Sequence, residues 1–431
     1  MEQKVWLISV NMGYGHQRTA WALRDLASDK KIININDYPG IPKSDKNIWE
    51  ATRRGYEIVS GFKKVPFLGN MVFSAMDYFQ RILSFYPKKD LSEPNFQLKQ
   101  TYSLIRKGWG EDLIKKLKNQ NAKLPLVSTF FMPAFMAEFF NYPGKIYCVV
   151  CDADISRTWA PKNPKESRIR YFAPTERVVE RLKLYGVKPE NIFLTGYPLP
   201  KENIGEEGRE VLKEDLKNRI FNLDPERKYF EKYKVLIGEK LGDLPRKADH
   251  PLTITFCVGG AGAQKEIGVK ILENLRKKIK NEEVKINLVA GIKKGVKEYF
   301  LMNIRKLNLE GVLGRNIEII FGDNIENYFQ KFNSVLRKTD ILWTKPSELS
   351  FFAALGLPVI IAPTIGSQEE FNKRWLQKSG FGIFQENPEH TSQWLFDWLN
   401  AGYLAEAAMQ GFVEGESSGV INIEKIISKN E

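Results

Sequence analysis

The sequence predicts an α/β protein built from two doubly wound, Rossmann-like domains, and three observations predict it. Short runs rich in Val, Ile and Leu alternate with helix-patterned stretches in two successive series, the signature of βαβ units and parallel sheets. Each series opens with a strand-like run followed by closely spaced glycines, as a tight strand-to-helix turn requires. Between the series, residues 201–250 hold 12 basic and 12 acidic side chains among 50. That density suits a solvated helical insertion or linker.

Taken in order, the first series places strands at Lys4–Val10, Lys31–Asn36, Leu126–Phe131, Ile146–Asp152, Arg170–Ala173 and Ile192–Thr195. The second places them at Leu252–Val258, Lys285–Ala290, Ile317–Phe321, Ile341–Trp343 and Pro358–Ala362. Helical patterns fill the gaps, as at Thr175–Tyr185, Gln264–Lys280 and Gln368–Lys378. The expected domains are 1–200, a charged connection at 201–250, and 251–400. Terminal helices over 401–431 are candidates to pack back on the first domain.

A length of 431 residues accommodates two such domains. Hydrophobic residues make up 43% of the chain, which excludes a disordered one, and three cysteines exclude a disulfide framework. Cys148 and Cys151 form a lone C-x-x-C inside a strand-like run, where positions three apart point to opposite faces; they read as buried core thiols. No signal-peptide core follows the first residues, and no run of 18 apolar, uncharged residues occurs. A reduced, cytosolic setting is expected. The net charge of +13 is uneven: residues 1–200 carry 31 basic and 19 acidic residues, and 51–124 alone carry 14 and 6.

Three segments can carry chemistry. The first strand runs into Asn11-Met12-Gly13-Tyr14-Gly15-His16 and then an amphipathic helix. This is not the dinucleotide fingerprint, whose third glycine position is Arg18 here. His16, one of three histidines, falls at a helix N-terminus, where the dipole favours the neutral ring that a general base needs. A capping or packing histidine is the alternative. The second domain repeats the arrangement at Val258-Gly259-Gly260-Ala261-Gly262-Ala263-Gln264. Such a loop exposes backbone N–H groups that can hold a pyrophosphate without a metal, unless it is simply a tight turn. The third segment runs from Thr344-Lys345-Pro346-Ser347-Glu348 through Gly356-Leu357-Pro358 to Gly366-Ser367-Gln368-Glu369-Glu370-Phe371-Asn372. Gln368 and Glu369 open a helix, so they either cap it or present an amide and a carboxylate to sugar hydroxyls.

Together these segments resemble the GT-B glycosyltransferases of the group containing the peptidoglycan N-acetylglucosaminyltransferase and the mono- and diglycosyl-diacylglycerol synthases. The likeness rests on Gly13–His16, on Cys151-Asp152 through Phe172-Ala173-Pro174 to Gly196-Tyr197-Pro198, on Gly259–Gly262, and on Thr344 through Asn372. It implies two domains facing across a cleft, with an acceptor bound by the first and a nucleotide-diphosphate sugar, a UDP-sugar above all, bound by the second. The diphosphate would face Gly259, Gly260, Ala261 and Gly262, and Lys345 and Asn372 would fall on the donor side. The sugar would meet Gln368 and Glu369. Transfer would be inverting, with His16 as base and Gly13, Tyr14 and Gly15 as the acceptor-side loop. No metal or cofactor is then needed.

Two departures mark the chain. Relatives usually carry a ribose-binding Glu where Phe351 stands, and Glu348 is the candidate substitute. The related G-x-P-x-R stretch reads Gly196-Tyr197-Pro198-Leu199-Pro200-Lys201. Asp152-Ala153-Asp154 is a literal D-x-D, the metal triplet of a different transferase class. Here it aligns with the synthases' T-D stretch, so either carboxylate is open to orienting the acceptor or assisting the base, with Asp152 the candidate. His250 and His390 read as solvated or structural.

The basic segment interleaves aromatics with cations at Arg53-Arg54-Gly55-Tyr56, Phe62-Lys63-Lys64-Val65-Pro66-Phe67 and Phe85-Tyr86-Pro87-Lys88-Lys89. That pattern suits an anionic membrane surface, a solvated helical face being the alternative. No nucleic-acid-binding module is recognised. The expected function is inverting transfer to a lipid or lipid-linked acceptor by a peripheral enzyme on the inner face of the membrane. A nucleotide-sugar 2-epimerase, a soluble-acceptor enzyme and a catalytically silent nucleotide-sugar binder are the alternatives.

Overall fold

Residues Val5–Ser9 form β1, a strand buried along almost its whole length, as the centre of a parallel sheet must be. The computed structural model describes residues 3–62, 82–259, 262–364 and 367–429, with the side chains of 55–62, 367 and 368 not described. In the first sheet β2 (Ala27–Asn34) flanks β1 on one side. On the other side follow β3 (Leu126–Ser128), β4 (Ile146–Val149), β5 (Arg170–Ala173) and β6 (Ile192–Leu194). All pairs are parallel and the order is β2-β1-β3-β4-β5-β6. Leu7 sits opposite Ile32 and Val127 in this register.

The second sheet contains β7 (Leu252–Cys257), β8 (Val284–Gly291), β9 (Ile317–Phe321), β10 (Ile341–Thr344), β11 (Val359–Ile361) and β12 (Gly382–Phe384). Its order is β12-β11-β10-β7-β8-β9, again all parallel. Strand order therefore reverses once in each sheet, between β1 and β3 and between β7 and β10. Open α/β sheets bind ligands outside the carboxyl ends of the strands at such a reversal.

Several boundaries differ from expectation for local reasons. β2 starts at Ala27, four residues before Lys31, through the polar run Ser28-Asp29-Lys30-Lys31. It is an edge strand, and an edge tolerates exposed charge. β3 ends at Ser128 because the helix Phe131–Phe139 begins there, with Pro133 in its first turn where a missing N–H does no harm. β4 ends at Val149, so Cys151 and Asp152 lie in the following loop. β12 is a three-residue edge strand, too short to stand out in the pattern. The expected helix Gln264–Lys280 is two helices, Lys265–Asn274 and Arg276–Lys280, joined at Leu275.

The chain divides into two compact units. The first is Met1–Pro198 with Ile365–Asn372 and Ser418–Glu431, and the second is Leu199–Thr364 with Lys373–Ser417. In the first, the helix Gly419–Lys429 buries Val420, Ile421, Ile423 and Ile427, and Asn422 Nδ2 donates to Thr195 O at 2.9 Å. In the second, the charged stretch folds into the helices Lys201–Ile204, Glu210–Leu223 and Lys228–Leu241. Its charge density conceals an apolar stripe at Leu212, Leu216, Ile220 and Leu223, all buried. Arg219 is buried beside that stripe and satisfies the carbonyls of Thr339 (2.7 Å) and Leu355 (2.6 Å).

Candidate active site

The first unit assembles its candidate residues at the reversal between β1 and β3. Past β1 the chain turns at Gly13, the N-cap of the helix Tyr14–Ala22, with φ 93°. Side chains rarely adopt that conformation, which accounts for a glycine here. Tyr14, Gly15 and His16 form the first helical residues, so His16 sits inside the first turn. Thr129, just past β3, holds the histidine from two directions. Its hydroxyl donates to His16 O at 2.9 Å, and its carbonyl lies 2.8 Å from His16 Nδ1. A carbonyl only accepts, so Nδ1 carries the proton of the neutral ring and Nε2 is the basic nitrogen. The rings of Phe130 and Trp159 stand at 4.7 and 6.2 Å from the imidazole.

Cys151 is buried as expected, yet its position past the end of β4 puts Sγ 3.3 Å from His16 Nδ1. Strand alternation missed this contact because the residue is not on the strand. Asp152 follows, and Asn372 joins it: Asn372 Nδ2 donates to Asp152 Oδ1 at 3.4 Å, and its Oδ1 accepts from Ala153 N at 2.9 Å. Asn372, expected on the donor side, is thus buried within the first unit beside Asp152. Glu369 lies one turn earlier on the helix Ser367–Lys378. The second carboxylate of the D-x-D is engaged elsewhere. Asp154 Oδ1 and Oδ2 each accept from Arg181 at 2.8 Å, and Arg177 Nε lies 3.2 Å away. Among the described residues no three His, Cys, Asp or Glu side chains group as metal ligands.

The second unit places its candidates at the reversal between β7 and β10. Gly259 and Gly262 close a turn through Gly262 N to Gly259 O at 2.6 Å, and Gly262 has φ 74°. Lys345, from the end of β10, lies over Gly259: a Cβ there would stand 2.9 Å from Lys345 Cε. A Cβ at Gly262 would meet Val296 at 2.9 Å and Lys293 Cδ at 3.8 Å. Lys293 follows β8, whose neighbour in the sheet is β7, and the linear sequence did not single it out. Gln264, next to the helix Lys265–Asn274, donates to Pro363 O at 2.7 Å, past β11. Gly260 and Ala261 lie outside the described residues, as does the side chain of Gln368.

Ser347 caps the 3-10 helix Glu348–Leu355, and Glu348 is half-buried at its start. Phe351 is 3% exposed and packs on Trp375 with ring centroids 5.0 Å apart. It is a core residue here. His250 is structural: its side chain is 7% exposed and pairs with buried Asp340 at 3.2 Å. In the basic segment, Phe62 through Phe67 and Tyr56 fall at positions whose side chains are not described. Of the remainder, Phe85 is buried with Arg177 stacked 3.7 Å from its ring centroid, while Tyr86 and Leu83 are exposed. No helix among the described residues is long and apolar enough to cross a membrane.

Two parallel six-stranded sheets with flanking helices, each reversing strand order beside its candidate residues, define a two-domain α/β fold. No protein-family profile matches the chain. It is similar to the processive diacylglycerol beta-glucosyltransferase of Bacillus subtilis (strain 168), with 21% identity over 386 residues, 88% of this chain and 83% of the relative. The protein of the same name from Bacillus pumilus (strain SAFR-032) is 21% identical over 389 residues, 88% and 82% of the two chains. Among solved structures, MurG of Acinetobacter baumannii matches with TM-score 0.49 and 14% identity over 99% of both chains. The S. aureus MnaA–UDP structure matches with TM-score 0.47 and 12% identity, over 100% of this chain and 96% of that one. The sequence similarity to diacylglycerol glucosyltransferases agrees with the resemblance that the series of motifs carries.

Proposed function

We propose that this protein is an inverting glycosyltransferase that moves a sugar from a nucleotide-diphosphate sugar, a UDP-sugar first of all, to a lipid or lipid-linked acceptor at an anionic membrane surface. The observation that carries the reading is the bond from His16 Nδ1–H to Thr129 O at 2.8 Å. It orients the ring and makes Nε2 the nitrogen that takes a proton. In the reaction, Nε2 accepts the proton of the acceptor hydroxyl. That oxygen bonds to the anomeric carbon as the bond from that carbon to the diphosphate breaks, with inversion. The diphosphate leaves toward the Gly259–Gly262 turn, where Lys345, Lys293 and the N-terminus of the helix Lys265–Asn274 supply positive potential. Protein groups then do the work of a metal. Asp152, held by Asn372, orients the acceptor or assists His16, and Glu348, Gln368 and Glu369 meet the ribose and the sugar.

The lipid acceptor is supported by the similarity to diacylglycerol glucosyltransferases and by the aromatic-basic composition of 51–124. On this reading the protein is peripheral, on the inner face of the membrane. Nucleotide-sugar binding without turnover is the second reading, favoured by the burial of Phe351 at the expected ribose position. The test assays transfer from UDP-, GDP- and dTDP-sugars to diacylglycerol in anionic vesicles, for wild type and His16→Ala. Wild type should transfer from a UDP-sugar, and the variant should lose about 10²–10⁴-fold while UDP still raises its melting temperature. Normal turnover by His16→Ala removes the base. UDP binding without transfer by wild type selects the silent binder.

A further inference from the structure

A cavity of about 210 Å³ in the first unit has no part in the chemistry just described. It lies at the carboxyl edge of the sheet, beside β1 and β2. Asn11 lines it from the loop after β1, and Asn36 and Asp37 line it from the loop after β2. The other wall is the helix Lys43–Phe62, which contributes Lys46, Trp49, Glu50 and Arg53. Spacings of three, four and seven residues put these four on one helix face.

Both walls are held in place by contacts outside the cavity. The Asn36 side chain bonds both backbone groups of Asn11: its Oδ1 accepts from Asn11 N at 2.9 Å, and its Nδ2 donates to Asn11 O at 3.2 Å. That fixes the loop two residues before Gly13. On the helix, buried Asp45 accepts from Gly110 N at 3.0 Å. Trp49, 2% exposed, packs on Trp109 with ring centroids 4.7 Å apart. Walls set before a ligand arrives lower the cost of binding it. The side chains of Asn11, Asp37 and Lys46 make no hydrogen bond or ion pair among the described residues.

The lining selects a class of ligand by its charge. Lys46 and Arg53 are matched by Asp37 and Glu50, so an anion would meet carboxylates and a cation would meet Lys and Arg, each repelled at close range. Along the helix the signs alternate through Lys46, Glu50 and Arg53, which leaves no separate poles for a zwitterion. An acyl chain would strip water from these polar groups and return no hydrogen bond. A neutral group dense in hydroxyls suits them, because each hydroxyl both donates and accepts. We propose that this cavity binds a sugar head group on the acceptor, so that the preferred acceptor is already a glycolipid. The proposal rests on the glycosyltransferase reading for calling the ligand an acceptor, but not for the binding itself.

Saturation-transfer NMR on the full chain, with saturating UDP present to occupy the donor side, reads binding of methyl β-glucoside and methyl β-galactoside. At least one glycoside should bind, and Asp37→Ala and Lys46→Ala should each weaken it about tenfold. Both side chains are exposed, so the melting temperature should not move. Phosphoethanolamine and inorganic phosphate should show no binding that these substitutions remove. In the transfer assay, wild type should favour a monoglycosyl-diacylglycerol over diacylglycerol about tenfold in kcat/KM, and Asp37→Ala should bring that ratio close to one through KM. No glycoside binding, or binding that both variants retain, overturns the site. Phosphoethanolamine or phosphate binding that the variants lose overturns the ligand class. Transfer without preference for the glycolipid overturns the acceptor assignment. Glycoside binding that the variants lose, in a protein that transfers to no acceptor, removes the enzymatic reading and leaves the sugar site standing.

Discussion

One carbonyl oxygen, that of Thr129, decides which nitrogen of His16 is basic, and one side chain, Lys345, lies against the backbone of Gly259. A methyl group at 259 would press on the far end of the Lys345 chain at 2.9 Å, which can swing away at little cost to folding. Gly259→Ala is therefore expected to leave the unfolding midpoint nearly unchanged and to weaken UDP binding about tenfold. That loss corresponds to about 1.4 kcal/mol for one displaced charge-assisted contact, and titration calorimetry reads it. Wild-type affinity in the variant would take Lys345 out of the diphosphate site. At this scale the sequence exposed residues that stand next to a turn-forming glycine, such as His16. It concealed Cys151 and Lys293, because each reaches its neighbour only through the pairing of strands far apart in the chain.

At the scale of elements, the amino ends of β7 and β10 are joined by a buried polar cluster. Asp340 accepts from Thr253 N at 2.8 Å and Asn222 Nδ2 at 3.0 Å, and faces His250 Nε2 at 3.2 Å; Asp249 bonds the other ring nitrogen, and Lys338 pairs with Asp249 at 3.3 Å. Burial pulls the His250 pKa down, but the bonds and charges of Asp340 and Asp249 more than reverse this, so it lies above the ordinary histidine value. A raised folded-state value means that protonation favours the native state. The contribution is complete below the unfolded value of about 6.5 and fades as pH rises through the folded one. His250→Gln should thus cost about 3 kcal/mol near pH 6, with the gap to wild type narrowing at higher pH in urea denaturation. A gap that widens with pH would reverse the assignment. The histidine was visible in the sequence as structural or solvated. Its partner, 90 residues away, was not.

For the molecule as a whole, chain order and spatial grouping part company at the C-terminus. Ser418–Glu431 belongs to the first unit although the preceding helices belong to the second. Four buried aliphatic side chains of Gly419–Lys429, at roughly 1.5–3 kcal/mol each, exceed much of the stability of an ordinary domain. Truncation after Ser417 is expected to abolish the cooperative unfolding of the first unit while the second still melts, which scanning calorimetry resolves as one lost transition. Two intact transitions would show that the terminal helix is dispensable.

The sequence by itself determined the two parallel α/β units, the glycine turns after β1 and β7, and His16, Lys345 and Glu348 as candidates. Each of these depends on local pattern: β-branched runs, backbone freedom and position past a strand end. Strand order was beyond it, and with strand order came the reversals that set Thr129 against His16 and Lys345 against Gly259, and the β7–β8 pairing that brings Lys293 beside Gly262. The tertiary structure also turned the apparent D-x-D into two unlike carboxylates, Asp152 beside Asn372 and Asp154 locked to Arg181. The physical reason is that a side chain's chemistry follows from the atoms within about 4 Å of it. In a parallel sheet those atoms come from strands that a crossover of a dozen or more residues separates.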